Sequence, residues 1–494
     1  MRALFLFLLL PALTVAQPLA RKVEEILARS PTAQKAHWGM RFVDLETGRI
    51  LYERNGDRYF VPASNTKLFS TALALARLGP DYRFQTRVES DARPDSQGRI
   101  EGDIRLVGGG DPTMSARAMP YKKGPITGNP LQAVEELADQ VAAAGVKFIG
   151  GDVVGDDSAY VWEPYPPGWS EDDTKWEYGA PVSALTINDN AIRLRISAGA
   201  KPGDPPVISF EPAVEYYFVH NYVRTIAKGE GFIRIDRGSR SRELEISGQL
   251  PVRTNAAYLV ALDDPALFAA RVFRDALIRR GVTVRGRAVA RHRRPMEVES
   301  LKQAVAKPSN EGIVLAKRTS PPLVEILQVI NKVSQNLHAE LVLRETARVR
   351  RGIGSAQAGL EEMKQFLQEL GVSPDDCRFE DGSGLSRLTI VTPRAVTTLL
   401  TKMAMSQHAE AWRSLLPIGG VDGTLEKRFV EEAANVTVRA KTGTLSHVAG
   451  LSGYAEGKNG APVIFSILVN NFRGPSSEVR SLIDKITVWI ASGR

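Results

Sequence analysis

Apolar and polar residues alternate at Trp38–Val43 and Arg49–Tyr52, on either side of Glu46-Thr47-Gly48, a pattern that predicts a β-hairpin. An amphipathic helix over Leu19–Ala28 precedes it. From Ser64 the period becomes helical: Ala72, Leu73, Leu75 and Leu78 follow, and Gly79 ends the run. Beyond Asp81 the character changes. Phe84–Val88 and Ile104–Val107 read as strands, Leu131–Ala144 as a helix stopped by Gly145, and Phe148–Val154 as a strand leading to Asp156 and Asp157. Trp162–Trp176, rich in Pro, Trp and acid, predicts a surface loop. Short strands then dominate to Arg253, and Asp263-Asp264-Pro265 opens a helix through Leu277. Helical periodicity returns from Pro321, over Leu323–Arg348. Three strands near the C-terminus, Val436–Ala440, Val448–Ala455 and Val463–Asn471, precede a closing helix. Its stripe of Val479, Leu482, Ile483, Ile486 and Ile490 suits a sheet or a membrane surface, and the lack of a strong basic excess on the polar face favours the sheet.

Composition bounds what this pattern can serve. The chain has 494 residues, 43% hydrophobic and 24% charged, enough for roughly three domains. Arg2, the apolar run Ala3–Leu13 and Thr14-Val15-Ala16 have the form of a secretory signal. That run falls short of the roughly 20 apolar residues a bilayer span takes. The expectation is an exported chain starting near Gln17, in a periplasm or cell envelope, with at most peripheral membrane contact. A single cysteine, Cys377, excludes an intrachain disulfide. Six scattered histidines give no cluster with ligand spacing, so neither a metal nor another cofactor is expected. The net charge of +8 gathers at Arg237–Arg242 and Arg291–Arg294. A solvated surface explains both clusters, weak attraction to an anionic cell wall is the functional alternative, and no nucleic-acid motif lies beside either. Gly108-Gly109-Gly110-Asp111-Pro112 is a sharp loop, not a phosphate loop, since no Gly-Lys-Ser/Thr follows.

Three short motifs carry chemistry. Ser64 and Lys67 stand three apart in a first helical turn, on one face. A serine hydroxyl needs a base within hydrogen-bond reach to become a nucleophile. Lys67 can be that base if burial and like charge hold its pKa roughly 3 pH units below the ordinary value, about 4 kcal/mol. Alone, Ser-x-x-Lys arises about twice by chance in a chain of this composition, and Ser64 would read as a helix cap. Ser334-Gln335-Asn336 alone would be a polar patch inside a helix. Lys441-Thr442-Gly443-Thr444 alone would be a strand running into a turn at Gly443. Together they form the set characteristic of penicillin-binding proteins and related β-lactamases. Ser64 attacks a carbonyl, and Lys67 with Ser334 relays its proton to the leaving amine. Asn336 orients Lys67 and holds the substrate amide. Lys441, Thr442 and Thr444 receive a carboxylate, and the backbone N–H groups of Ser64 and Thr444 form an oxyanion hole.

Beyond these motifs the chain resembles the DacB-type D-Ala-D-Ala carboxypeptidase/endopeptidases, the class C low-molecular-mass penicillin-binding proteins, over nearly its whole mature length. Gly109-Gly110-Asp111-Pro112-Thr113, Tyr178-Gly179-Ala180-Pro181, Asp381-Gly382-Ser383-Gly384-Leu385-Ser386-Arg387 and Gly420-Val421-Asp422-Gly423-Thr424 carry the likeness. So does the separation of 270 positions between Ser64 and Ser334, which in that family holds two extra domains, one nested in the other. The resemblance implies hydrolysis of peptidoglycan stem peptides through an acyl-serine intermediate, with β-lactams as covalent inhibitors. It also implies a substrate pocket lined by Leu385, Arg387, Leu445 and Ser446 beside the Thr442-Gly443-Thr444 strand. An acid from the insert, placed at Asp156 with Asp157 adjacent, would meet the substrate amino group; a surface salt bridge is the plainer use of Arg387. The expected fold is α/β: a β-lactamase/transpeptidase-like domain, antiparallel sheet between helices, assembled from residues 17–85 and 300–494. A mostly β insert would occupy 86–299, with an inner domain at about 190–285, after a signal peptide at 1–16. Two other functions stay open. A β-lactamase would need a positioned deacylating base, and the acidic motif of class A enzymes is not recognisable. A non-catalytic wall-binding protein would have no need of the intact Ser64, Lys67, Ser334, Asn336 and Lys441 set.

Overall fold

The computed structural model describes residues 16–238, 241–302, 312–432, 435–457 and 462–492. The expected signal segment lies outside them, apart from Ala16. Val463–Asn470 is buried at every position and Val448–Gly457 at every position but Glu456. Strands covered on both faces need a layer of helices on each side. These two lie within a five-stranded antiparallel sheet, ordered Val436–Leu445, Val448–Gly457, Val463–Asn470, His37–Asp44 and Ile50–Arg54. The helices Ala16–Ala28 and Ser476–Ser492 cover one face. There Val479, Leu482, Ile483, Ile486 and Ile490 pack with Trp38, Phe42, Phe465 and Val469, so the C-terminal stripe is spent on the sheet. Among the described residues no helix is long and apolar enough to cross a membrane. The other face carries the Thr66–Leu78 helix, buried at every position from Thr66 to Leu75 and enclosed by the helices Leu323–Lys332, Asn336–Arg351, Ala356–Glu369 and Pro393–Ala404. The chain therefore forms the expected α/β architecture, an antiparallel sheet between two helical layers.

The insert has a core of its own. Its sheet runs Ala288–Arg293, Val153–Val161, Ile104–Val107, Gln85–Ser90 and Ile313–Thr319. The helices Gln132–Ala143 and Pro265–Arg279 pack with it through Val134, Leu137, Phe268, Phe273 and Leu277. Ile313–Thr319, assigned from sequence to the catalytic part, instead pairs with Gln85–Ser90, and the helical layer resumes at Leu323. The helix Pro265–Arg279, within the stretch expected to form the inner domain, packs its apolar face into this core. A smaller all-β cluster lies within the same stretch. Two three-stranded sheets, within Ala191–Ala261, enclose Leu194, Ile196, Val223, Leu244 and Ile246.

Two local expectations change. The helical stretch over Leu323–Arg348 is two helices, and Ser334 is not inside either: Val333, Ser334 and Gln335 leave the helical path, with Ser334 at φ 62°. Trp162–Trp176 is not a free surface loop. Trp169 Nε1 donates to Asp381 Oδ2 (3.1 Å), Ser386 Oγ to Pro167 O (2.7 Å) and the Arg387 N–H to Gly168 O (3.2 Å), so this segment is docked on residues 381–387.

Candidate active site

Ser64 lies in a single 3-10 turn, Ala63–Asn65, which runs straight into the Thr66–Leu78 helix. Ala63 holds a left-handed backbone (φ 48°), a conformation that costs a non-glycine residue on the order of 1 kcal/mol and commonly marks functional turns. The turn sits directly on the sheet at Gly443 and Gly450, which face each other across neighbouring strands. A β-carbon on Gly443 would stand 2.5 Å from Pro62 O and 2.6 Å from Asn65 Nδ2, and one on Gly450 2.6 Å from the same nitrogen. Gly443 thus marks a close approach of the Ser64 turn. It does not end the strand, which continues to Leu445.

The Ser64 hydroxyl does not cap the helix; its partner is Lys67. Lys67 is fully buried, and its Nζ lies 2.9 Å from Ser64 Oγ, 2.6 Å from Asn336 Oδ1 and 2.6 Å from Ser383 O. Two of these three are obligate acceptors. In the neutral amine they take both N–H groups, which leaves the nitrogen lone pair for the Ser64 hydroxyl. The amide of Asn336 is oriented for this role, since its Nδ2 donates to Tyr178 O at 2.7 Å. Burial lowers the Lys67 pKa to about 7, against the opposing pull of the Asp381 and Glu340 carboxylates. A lysine base for Ser64 needs a depression of this size, and burial comes first among its causes.

Lys441 is also fully buried. Its Nζ donates to Ser334 Oγ and to Thr442 O, both at 2.9 Å. Burial, and then the charge of Lys67, hold its pKa well below the ordinary lysine value. The left-handed turn at Ser334 is what points this hydroxyl at Lys441, between the two helices. Ser64, Lys67, Asn336, Ser334 and Lys441 therefore share one site, with serine hydroxyls touching each lysine. Thr442 Oγ1 donates to Thr424 Oγ1 at 2.9 Å, Thr444 is exposed on the same strand, Leu445 is half-buried and Ser446 is exposed.

The remaining expected residues divide. Leu385 is buried beside the site, in the loop that supplies Ser383 O. Arg387 is exposed and, among the described residues, forms no ion pair. Asp156 is not in contact with the Ser64 cluster. It is buried on an insert strand, where its Oδ1 accepts the Ser158 N–H (2.9 Å) and its Oδ2 lies 3.6 Å from Arg291. Asp157 is engaged elsewhere, with Ser183 Oγ at 2.8 Å and His292 Nδ1 at 2.9 Å. Cys377 has no chemistry to offer, as burial pushes its thiol up to about 12.

Sequence reasoning passed over the layer behind the lysine. Asp381 accepts from Ser383 Oγ (2.9 Å), the Gly384 N–H (3.1 Å) and the Ser386 N–H (2.9 Å), which folds 381–386 into a tight loop. Gly384, at φ 80°, is the second place where only glycine serves: a β-carbon there would lie 1.9 Å from Ala63 O. Glu340 grips the same loop from the Asn336–Arg351 helix. Its signal in the sequence was a position four after Asn336, on the same helical face.

Known proteins resemble this chain over nearly its whole length. The chain matches the D-Ala-D-Ala carboxypeptidase 3 (S13) family over residues 19–492. It is 34% identical to a D-alanyl-D-alanine carboxypeptidase of an Actinomadura species, over 92% of this chain and 81% of that one. It is 25% identical to the D-alanyl-D-alanine carboxypeptidase DacB of Haemophilus influenzae, over 87% and 84%. The crystal structure of penicillin binding protein 4 (dacB) from H. influenzae superposes with a TM-score of 0.80 at 21% identity, covering 95% of this chain and 99% of the other, a likeness of fold. A serine with its own buried lysine, on a chain matched almost end to end, makes this protein a member of the D-Ala-D-Ala carboxypeptidase 3 (S13) family of serine-type hydrolases.

Proposed function

We propose that Ser64 is the nucleophile with which this hydrolase releases D-alanine from peptidoglycan stem peptides, and that the same site cuts D-Ala cross-links. The observation that carries this reading is Lys67, whose N–H groups have two carbonyl acceptors and whose third neighbour is Ser64 Oγ. Ser64 Oγ attacks the carbonyl carbon of the penultimate D-Ala while its proton passes to Lys67 Nζ. The oxyanion is met by the backbone N–H groups of Ser64 and Thr444, a contribution typically of a few kcal/mol. The C–N bond then breaks, and Ser334 hands a proton to the leaving nitrogen and is reprotonated from the lysines. Water hydrolyses the ester with Lys67 again as base. An ammonium has three donors and Lys441 spends two, on Ser334 and Thr442 O, so the third is free for the terminal carboxylate, helped by Thr442 and Thr444. The arriving carboxylate favours the charged form of Lys441.

Leu385, Arg387, Leu445 and Ser446 form the rest of the pocket in this reading, and Arg387 is exposed and unpaired among the described residues, as a substrate-facing cation would be. Asp156 enters only as a candidate for the substrate amino group. β-Lactams acylate Ser64 and stay attached, because their leaving group is tethered. The protein acts outside the cytoplasm, in the periplasm or envelope. The test is purified protein with cross-linked and uncross-linked muropeptides, products read by mass, beside Ser64→Ala. The expected result is loss of one alanine and of cross-links with wild type and neither with the variant. Products from folded Ser64→Ala would refute the assignment, and wild type that neither cleaves nor takes up penicillin would favour a wall-binding protein.

A further inference from the structure

Glu340 lies one helical turn beyond Asn336, and its side chain is completely buried. Oε1 accepts two backbone N–H groups, those of Gly382 and Ser383, each at 2.8 Å. Oε2 accepts from Arg344 Nη1 at 2.9 Å. Three hydrogen bonds thus fill most of the roughly four acceptor sites of this buried carboxylate. The backbone so held is the segment that presents Ser383 O to Lys67. Two further contacts fix it: Ser70 Oγ donates to Gly382 O at 2.7 Å, and the Gly384 N–H donates to Asp381 Oδ1 at 3.1 Å.

We propose that Glu340 is a positioning residue for the general base: by gripping the Gly382 and Ser383 amides it holds Ser383 O where that carbonyl takes one N–H of Lys67 and leaves the amine lone pair directed at Ser64. The proposal rests on the reading of Lys67 as the base. Without the grip, Ser383 O is held only indirectly, through Ser70 on Gly382 O and Asp381 on the Gly384 N–H, and the carbonyl can shift away from Lys67 while Asn336 Oδ1 stays in place. Misplacement by about 1 Å in such a constellation costs up to roughly a hundredfold in rate.

Position and charge can be separated. Glu340→Asp keeps the charge beside Arg344 but is one methylene shorter, so its oxygens withdraw from the loop. Glu340→Gln combined with Arg344→Met removes both charges but keeps an acceptor oxygen for the two amides. The measurement is the pH profile of second-order acylation by a fluorescent penicillin, with thermal unfolding of the same samples. Lys441, Asp381 and Glu340 face Lys67, with Arg344 behind Glu340, and neither variant touches the first two. Glu340→Asp is expected to lower the plateau roughly tenfold to a hundredfold. It also moves the acid limb to lower pH, because the ammonium has lost an acceptor. The double variant is expected to stay within about threefold of wild type, the small change that leaves a catalytic geometry intact.

Three results would overturn the proposal. One is a wild-type plateau in Glu340→Asp. Another is the reverse order, the double variant crippled and Glu340→Asp intact, which would assign the effect to charge. The third is an equal loss in both with unmoved limbs and lowered unfolding temperatures, which would make Glu340 a packing residue. Wild type that forms no adduct at all would instead remove the reading of Lys67 on which the proposal stands.

Discussion

Lys67 sits in a helix covered from Thr66 to Leu75, and its pKa falls from 10.5 to about 7. The unfolded chain keeps that proton up to about pH 10.5 and the folded chain only to about 7. Between those values the unfolded state binds more protons, so stability rises with pH, by about 1.4 kcal/mol per pH unit from this group. Below pH 7 the whole penalty is present; above 10.5 none is. Lys67→Met is therefore expected to be more stable than wild type at pH 6, the gap closing as pH rises towards 10, in denaturant unfolding at several pH values. A gap that did not change with pH would mean that Lys67 is not held neutral by burial. The same variant should acylate about 10²–10⁴ times more slowly, the usual value of a general base. Arg387 makes the opposite case, an exposed cation without an ion pair among the described residues. Arg387→Ala should leave stability within about 0.5 kcal/mol. It should slow turnover of peptides with a diaminopimelate-type zwitterionic side chain far more than acylation by a penicillin lacking that group. Equal losses on both would make Arg387 a structural residue.

Elements bring these residues together, and glycine decides how closely. The strand Val436–Leu445 passes under the Ser64 turn at Gly443, where a β-carbon would meet the backbone oxygen of Pro62. Backbone cannot swing aside as a long side chain can, so Gly443→Ala must push the turn off the sheet. It should cost about 1–3 kcal/mol, as overpacking does, and slow acylation by up to about a hundredfold, since Ser64 and Lys67 ride on the displaced element. Stopped-flow acylation beside thermal unfolding checks both; a variant with wild-type rates would show that the close approach is not needed. The strand itself was legible as alternation, and the motifs named Ser64, Lys67, Ser334, Asn336 and Lys441 because their spacing is short-range. The surroundings of Glu340 and of Trp162–Trp176 were not legible. The bounds of the loop at Val333–Gln335 have no Pro or Gly to mark them, and Ser334 meets Lys441 across it. Glu340, in a helix with charged neighbours, has the local look of a solvent-facing residue, and only the packing of the 381–386 loop buries it. The Trp162–Trp176 segment was misread for the same reason: its polar, Pro-rich composition describes a loop, and its docking on Asp381 and Arg387 depends on partners some two hundred positions away.

At the scale of the whole molecule the question is what the insert does for the site. Its outer part is attached at the catalytic helix Asn336–Arg351: Tyr178 O holds Asn336, and Asp189 Oδ1 lies 2.9 Å from the buried His338 Nε2. Its inner part has a separate core, and both ends of that part leave from paired residues, Ala191 opposite Ala261. Such partners stand about 5 Å apart, a span that a two-residue turn closes. We propose that replacing residues 192–260 by Asn-Gly leaves a folded, penicillin-reactive protein. The deletion does remove two buried members of the outer core, Ile192 and Tyr216; Tyr216 packs edge-on against Phe268 and its hydroxyl bonds Asp263 Oδ1 at 2.5 Å. Loss of a buried aromatic of this kind costs about 3–5 kcal/mol, so the shortened chain should unfold at lower temperature. A longer deletion, 190–285, takes away the helix Pro265–Arg279 and with it Phe268, Phe273 and Leu277, the centre of the outer insert. That core orders the segment bearing Tyr178 and Asp189, so the longer deletion should lose both cooperative unfolding and acylation. Parallel labelling with a fluorescent penicillin and thermal unfolding of the two shortened chains decides the matter. Equal behaviour of the two, both active or both dead, would mean that the boundary between an inner unit and an outer buttress of Asn336 does not lie at Ala191 and Ala261.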